Sequence, residues 1–177
     1  MNNGYIKTER LLLRPICMDD LDAVHIYADD PDNTRYMMFL PNDSIDETKE
    51  FIRRSEKQWN DGDLSFHEFV IVLDGQVIGG IDWEIENETE AELGWTLTPA
   101  YHNKGYVTEA ALALCEYIKK NLSFVTRIFA RCDTRNTPSE RVMRKLGMTL
   151  ISESERVYPK TGETAREYLY AMEVKRD

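Results

Sequence analysis

Cysteine is scarce in this chain, and it contains no long apolar run. The three cysteines are an odd number without the spacing of metal ligands, so we expect neither a disulfide framework nor a metal site. They are Cys17, Cys115 and Cys132. Because no apolar run approaches the ~20 residues of a membrane helix, we expect no membrane-spanning segment. The chain also begins without a basic and then apolar leader, which together with the few cysteines predicts a cytoplasmic protein.

Basic residues are outnumbered, since 22 lysines and arginines stand against 32 acidic residues and the formal net charge is −10. A protein that follows a nucleic-acid backbone needs a basic face, so this balance argues against a nucleic-acid partner. The acidity agrees with a cationic partner and, more simply, with a soluble acidic surface. Alone it identifies no substrate.

The apolar pattern switches repeatedly between the periods of strands and of helices. Internal repeats, low-complexity tracts and linkers rich in proline, glycine and serine are absent. A length of 177 residues with 42% hydrophobic content suits one core, so we predict a single α/β domain over residues 1–177.

Turn and cap signals divide the chain into elements. Asp74 and Gly75 favour a hairpin turn, because both turn positions prefer positive φ. Residues 44–47 have capping-box spacing, and Thr137 followed by Pro138 is interpreted as the start of another helix. The predicted strands cover 6–15, 69–73, 77–81, 92–97, 127–132, 151–158 and 167–174, and the predicted helices begin near 20, 45, 107 and 138.

A glycine-containing turn between the strand 92–97 and the helix 107–121 is the most informative feature. The first amides of a helix have no intrahelical partner and lie at the positive end of its dipole, so a turn that gathers several of them can hold a pyrophosphate. The turn residues are His102, Asn103, Lys104, Gly105, Tyr106, Val107 and Thr108. Lys104 would add a positive charge. The spacing alone is also that of an ordinary strand-to-helix connection.

Four segments of the chain carry a resemblance to a known family. They are AELGWTLTPAY (91–101) before the turn, EAAL (109–112) after it, NTPSERVMRKLGM (136–148) and TERLLLRP (8–15). The chain resembles the GCN5-related N-acetyltransferases, and within them the group that acetylates ribosomal-protein N-termini and related amines. The resemblance covers nearly the whole chain. It implies an α/β (α+β) fold with a central mixed, mostly antiparallel twisted sheet of six to seven strands, in which two adjacent parallel strands splay apart, flanked by about four helices.

The same resemblance implies how acetyl-CoA is bound. Its pantetheine arm would lie between the two splayed strands and contact the main chain of Trp95 and Leu97, while its phosphates would rest on the turn. Asn136 matches the asparagine with which the family bonds the pantetheine, or it only shapes the loop before the helix.

The chain departs from the family pattern at several positions. Asn103 stands where glycine is usual, and asparagine tolerates the left-handed backbone that such a turn needs. Val107 stands where glycine or alanine is usual, so its β-branch brings bulk toward the phosphates. Met143 replaces the tyrosine with which many relatives protonate the departing thiolate, and methionine cannot donate a proton. The resemblance makes Ser139 the substitute donor; the alternative is a polar first-turn residue without a catalytic part.

An amine attacks a thioester only after it has lost its proton, so a base or a water chain is required near the acceptor. Glu92 is the expected base, because it lies a few residues before the stretch that contacts the cofactor. Glu84, Asp82 and an ordered water are the alternatives.

We therefore predict an acetyl-CoA-dependent N-acetyltransferase that transfers the acetyl group to a primary amine in a ternary complex. The acceptor is left open among a protein N-terminus, a polyamine, an antibiotic and an amino acid. One rival is a non-catalytic CoA-binding or regulatory module, which Asn103, Val107 and the missing tyrosine motivate. A nucleotide-phosphate enzyme is the weaker rival, because the chain lacks a Gly-x-x-x-x-Gly-Lys-Ser/Thr loop. Edge strands in the last hairpin leave room for a homodimer.

Overall fold

The structure, a computed structural model, describes residues 4–176. The strands of this part of the chain are β1 (Ile6–Lys7), β2 (Leu11–Pro15), β3 (Phe66–Leu73), β4 (Gln76–Ile85), β5 (Glu90–Leu97), β6 (Arg127–Asp133), β7 (Thr149–Val157) and β8 (Thr164–Glu173). Its α-helices are α1 (Leu21–Ala28), α2 (Ile45–Asp61), α3 (Tyr106–Asn121) and α4 (Thr137–Lys145), with short 3₁₀ turns at Met18–Asp20 and Pro99–Tyr101.

All the strands belong to one sheet in the order β1-β2-β3-β4-β5-β6-β8-β7. Neighbouring strands are antiparallel except β5 and β6, which run parallel. The connection between these two contains α3, which therefore begins close to the end of β5. The predicted mixed, mostly antiparallel sheet with one parallel pair is confirmed.

The predicted first strand, 6–15, is divided into two strands. The Thr8 amide donates to the Leu11 carbonyl oxygen at 2.9 Å, which closes a turn and folds β2 back on β1. Glu109 of α3 fixes this turn by accepting bonds from the Thr8 hydroxyl at 2.6 Å and the Arg10 amide at 2.9 Å. The sheet therefore has eight strands within residues 4–176, where six to seven were expected.

The hairpin of β3 and β4 has the predicted two-residue turn. Asp74 and Gly75 have φ values of 49° and 82°, so both are left-handed. Farther along, the pairing register shifts between Ile71 and Val72. Ile71 lies opposite Gly79, so the bulge occurs where adjacent glycines predict a bend or bulge.

Polar side chains define the starts of α2 and α4. The Ser44 hydroxyl accepts from the Glu47 amide at 3.4 Å, as the capping-box spacing predicts. At α4 the prediction was wrong by one residue, since Asn136 and not Thr137 is the cap. Asn136 Oδ1 accepts from the Ser139 amide at 3.3 Å. An asparagine carbonyl reaches this amide as well as a hydroxyl does, so Thr137 becomes the first helical residue.

Helices cover both faces of the sheet. Phe69 and Ile71 of β3 pack in the core that includes α3, whereas Val70 and Val72 of the same strand pack against α1 and α2. The α3 residues with helical apolar spacing are fully buried, as predicted: Ala111, Leu114 and Ile118. None of the helices described is long and apolar enough to cross a bilayer.

Candidate active site

Strands β5 and β6 separate after a short stretch of parallel pairing. The ladder ends at Glu92 and Phe129. Beyond that point β5 remains paired with β4 as far as Leu97, and β6 remains paired with β8. The facing edges of β5 and β6 then have main-chain groups without a ladder partner, which an extended ligand can satisfy as an added strand would. The predicted splay is present.

The turn that follows β5 presents free amides. Asn103 and Gly105 have φ values of 62° and 81°, so the asparagine takes the left-handed backbone expected of it. Gly105 is the N-cap of α3, and its carbonyl oxygen accepts the first helical bond from the Glu109 amide at 3.0 Å. The amides before that bond belong to Tyr106, Val107 and Thr108. They stand at the positive end of a 16-residue helix, which suits a diphosphate.

Two basic side chains of the turn are held by the turn itself. His102 Nε2 donates to the Leu97 carbonyl oxygen at 2.8 Å, which ties the turn to the end of β5. Lys104 Nζ donates to the Ala100 carbonyl oxygen at 3.0 Å and lies 5.4 Å from the centre of the Tyr101 ring. The Lys104 ammonium is thus directed at the 3₁₀ turn, and main-chain amides are the groups that this segment presents to an anion.

Helix α4 places a hydroxyl at the gap. Trp95 Nε1 on β5 donates to Ser139 Oγ at 3.3 Å. Because this hydroxyl accepts the bond from Trp95, its own proton remains free for another acceptor. Met143, which the family resemblance places at the tyrosine position, is fully buried in the core and does not line the cleft.

Glu92 stands at the point where the two strands part. It forms a salt bridge with Arg131 of β6 and lies opposite Glu84 of β4. Burial raises the pKa of Glu92 to about 7, the charge of Arg131 opposes this rise, and Glu86 and Glu84 add to it. A carboxyl group with such a pKa exchanges protons near neutral pH.

A second pair of acids was missed by the sequence analysis. Glu68 of β3 lies opposite Asp82 of β4, which was considered only as an alternative base. Burial and the neighbouring carboxylate raise the pKa of Glu68 well above its ordinary value. Burial, followed by the charges of Glu92 and Glu84, raises the pKa of Asp82 to about 7. Tyr27 of α1 is buried beside the pair.

These groups line one open cleft of about 2000 Å³. It extends from the turn before α3, along the gap between β5 and β6, to the acidic side chains of β3 and β4. The predicted site residues that line it are Glu92, Trp95, Leu97, His102, Asn103, Gly105, Tyr106, Val107, Thr108, Asn136 and Ser139. Lys104 is the predicted member that does not. Within residues 4–176 no group of three or more His, Cys, Asp or Glu side chains is arranged to hold a metal ion.

Two adjoining parts of the cleft have features that suit coenzyme A. The free amides and the left-handed Asn103 and Gly105 form a cradle for a diphosphate, and the unpaired edges of β5 and β6 suit an extended arm with amide groups. A sheet opened in this way beside an amide-rich turn defines the class of CoA-dependent acyltransferases.

Comparisons with known proteins give the family. The sequence model of one protein family, described as acetyltransferase (GNAT) domain, matches residues 10–149 of this chain. The chain is 35% identical over 172 residues to the uncharacterized N-acetyltransferase YnaD of Bacillus subtilis (strain 168), covering 95% of this chain and 96% of YnaD. The chain belongs to the GNAT acetyltransferase family and is an N-acetyltransferase.

Solved structures share the architecture. The crystal structure of a GNAT-family acetyltransferase from Bacillus anthracis matches with a TM-score of 0.85 at 33% identity, over 97% of this chain and 99% of that one. RimL, a ribosomal L7/L12 α-N-protein acetyltransferase solved in complex with coenzyme A, matches with a TM-score of 0.86 over 98% and 99% of the two chains. At 17% identity, the likeness to RimL is one of fold.

Proposed function

We propose that this N-acetyltransferase passes the acetyl group of acetyl-CoA directly to a primary amine while both substrates occupy the one cleft. The observation that carries the proposal is the continuity of that cleft, which joins a diphosphate cradle to a group of carboxylates through the gap between β5 and β6. Acetyl-CoA supplies the activated acyl group as a thioester. The protein has then to hold the two substrates together, remove a proton from the amine and give one to the departing sulfur.

The proposed coenzyme site consists mainly of main-chain groups. The amides at the start of α3 bind the diphosphate, and the main chain at Trp95 and Leu97 binds the arm. His102 supports this site by holding the Leu97 carbonyl at 2.8 Å, and a carbonyl oxygen retains a second lone pair for a ligand. Asn136 shapes the approach by capping α4.

Ser139 is the proposed proton donor to the sulfur. Its hydroxyl borders the gap, and its bond from Trp95 leaves the hydroxyl proton available. It also lies in the first turn of α4, where the helix dipole stabilises negative charge on a nearby group.

Glu92 is the proposed base. It lines the cleft on the strand that holds the coenzyme arm, and its pKa of about 7 allows it to take a proton from an ammonium group near neutral pH and to release it to solvent. Glu84, Asp82 and a water molecule held by these carboxylates are the alternatives.

Transfer through a cysteine is not part of the proposal. Cys132 lines the cleft, but burial raises the pKa of its thiol to about 12, so almost none of it is thiolate at neutral pH. An attacking amine is therefore the better nucleophile.

A purified sample mixed with acetyl-CoA and a panel of amines tests the proposal. The panel contains a short peptide with a free N-terminus, spermidine, an aminoglycoside and an amino acid, and the readout is release of the coenzyme thiol with a control lacking amine. Release that depends on an amine supports the enzyme. Tight CoA binding in calorimetry without release for any amine supports the rival, a non-catalytic CoA-binding module, which the lack of a proton donor at Met143 motivates.

A further inference from the structure

The inner part of the cleft contains a buried hydroxyl without a partner. Tyr27 of α1 lines the cleft and is 3% exposed, and its hydroxyl makes no hydrogen bond within residues 4–176. Buried polar groups are nearly always hydrogen-bonded, because an unmade bond is destabilising. A ligand group that reaches Tyr27 would supply the missing bond.

Two carboxylates lie on neighbouring strands beside this hydroxyl, since Glu68 of β3 stands opposite Asp82 of β4. A Cβ atom added at Gly80 would collide with Glu68 Oε1 and would stand 3.0 Å from the Tyr27 hydroxyl oxygen, so both atoms approach the position above Gly80. A Cβ atom added at Gly94 would collide with Asp82 Oδ2. Glycine at these two positions therefore leaves room for side chains from α1, β3 and β4 to meet.

Neither of these carboxylates has a cation of its own. In the described part of the chain Glu68 and Asp82 form no salt bridge, whereas Glu92 nearby is paired with Arg131. Glu68 is 5% exposed, so water hydrates its charge poorly. Buried charges are normally paired, and a positive group placed between the two acids would allow both to ionise.

We propose that Glu68, Asp82 and Tyr27 form a subsite for a second ammonium group of the acceptor, which is therefore an aliphatic diamine. An ammonium group has three donors and no acceptor, and the subsite presents two carboxylates and a phenolic oxygen. An anionic group would be repelled.

The nitrogen bound in this subsite is not the one that is acetylated. The Glu68 carboxylate reaches over Gly80 of β4, and neighbouring strands of a sheet are about 4.8 Å apart, so the bound nitrogen lies roughly 7 Å from the gap on the far side of β5. The reacting nitrogen occupies the gap beside Glu92 and Ser139, and the carbon chain of the diamine spans the distance between the two positions. This step rests on the function proposed above.

The first test compares two amines of equal carbon number. Putrescine has two ammonium groups and n-butylamine has one, so the ratio of their kcat/KM values, each divided by the number of amine nitrogens, measures the effect of the second group alone. We expect a ratio of at least about tenfold in the native protein, because truncating one partner of a buried charge pair has effects of this size or larger. Glu68→Gln should reduce the ratio to near one by slowing putrescine only, and Tyr27→Phe should reduce it severalfold. Glu88→Gln, which removes an equal charge from an exposed loop, should leave the ratio unchanged.

Equal kcat/KM values per amine nitrogen for the two amines in the native protein would overturn the proposal, as would an equal effect of Glu68→Gln on both. Tyr27→Phe removes only a buried oxygen without a partner, so this variant should fold. It therefore tests the proposal even if Glu68→Gln does not fold.

A binding measurement separates this proposal from the function on which it rests. Calorimetry with CoA present should detect putrescine but not n-butylamine, and Glu68→Gln should abolish the putrescine signal. Binding that depends on Glu68 without thiol release for any amine would refute the transferase and leave the subsite. Thiol release from monoamines and diamines alike, with no effect of Glu68→Gln, would refute the subsite and leave the transferase.

Discussion

Trp95 and Ser139 are joined across the gap by a hydrogen bond of 3.3 Å from the indole Nε1 to the hydroxyl oxygen. The bond connects β5 to α4 on the side where β5 has lost its pairing with β6. It also fixes the direction of the hydroxyl, because an oxygen that accepts from the indole directs its own proton elsewhere. Ser139 lines the cleft, so the remaining directions include the space where the sulfur of the coenzyme is expected.

Replacement of Ser139 by alanine should lower turnover by about 10²-fold, the lower part of the range for a positioned proton donor. The affinity for acetyl-CoA should change little, since the main chain makes the expected contacts. Assays of the rate of thiol release measure turnover, and calorimetry with CoA measures the affinity. Trp95→Phe, which removes the indole donor and keeps an aromatic ring, should give a smaller loss of turnover. Full activity of Ser139→Ala would remove this hydroxyl from the mechanism.

Replacement of Gly105 by valine should mainly weaken CoA binding. Gly105 has a φ of 81°, and a β-branched residue in that region is strained by on the order of 1–3 kcal/mol, so the amides that follow would be displaced. Gly62→Val is a matched control, because Gly62 also has a positive φ, of 67°, and caps α2 away from the turn. Both variants should lose stability in thermal melts, whereas only Gly105→Val should lose affinity for CoA in calorimetry.

The pH dependence of turnover should report Glu92. A base acts when deprotonated, so activity should rise as the pH passes about 7, the pKa to which burial raises this carboxyl. Glu92→Gln should lower the rate and remove the rise near pH 7, while the rise caused by deprotonation of the free amine at higher pH should persist. If the profile of Glu92→Gln keeps its limb near 7, Glu92 is not the base, and Asp82, whose pKa burial also raises to about 7, becomes the next candidate.

The turn before α3 could be predicted because each of its requirements is local. Gly105 and Asn103 tolerate positive φ, and the apolar spacing of α3 marks where the helix begins. The cap of α4 was misplaced by one residue, because Asn136 and Thr137 both have side chains that cap well and only the backbone decides between them.

The acids at the inner end of the cleft could not be found in this way. Glu68 stands beside His67 at the start of β3, just before the apolar stretch 69–73 that predicts the strand, and its partner Asp82 is fourteen positions away, in a register that a bulge alters. Gly80 and Gly94 were the available signal, since glycine in a strand marks a close approach. The sequence does not state what approaches them, and Gly80 was explained by the bulge beside it.

The stability of the protein should depend on pH through Asp82. Burial raises the pKa of this carboxyl from 3.8 to about 7, so between these values the folded protein binds a proton that the unfolded chain has released. The stabilisation that this group adds to the free energy of unfolding is then fully present below pH 3.8 and is lost as the pH rises through 7. The side chain in Asp82→Asn cannot ionise. When the pH is raised from 5 to 8, the free energy of unfolding of this variant should therefore increase relative to that of the native protein, by on the order of 1–3 kcal/mol. Urea unfolding of both proteins at the two pH values measures this difference, and Glu88→Gln serves as the control for an exposed charge. If the free energy of unfolding changes equally in the native protein and in the asparagine variant between pH 5 and pH 8, then Asp82 ionises freely in the folded state and is already provided with a cation.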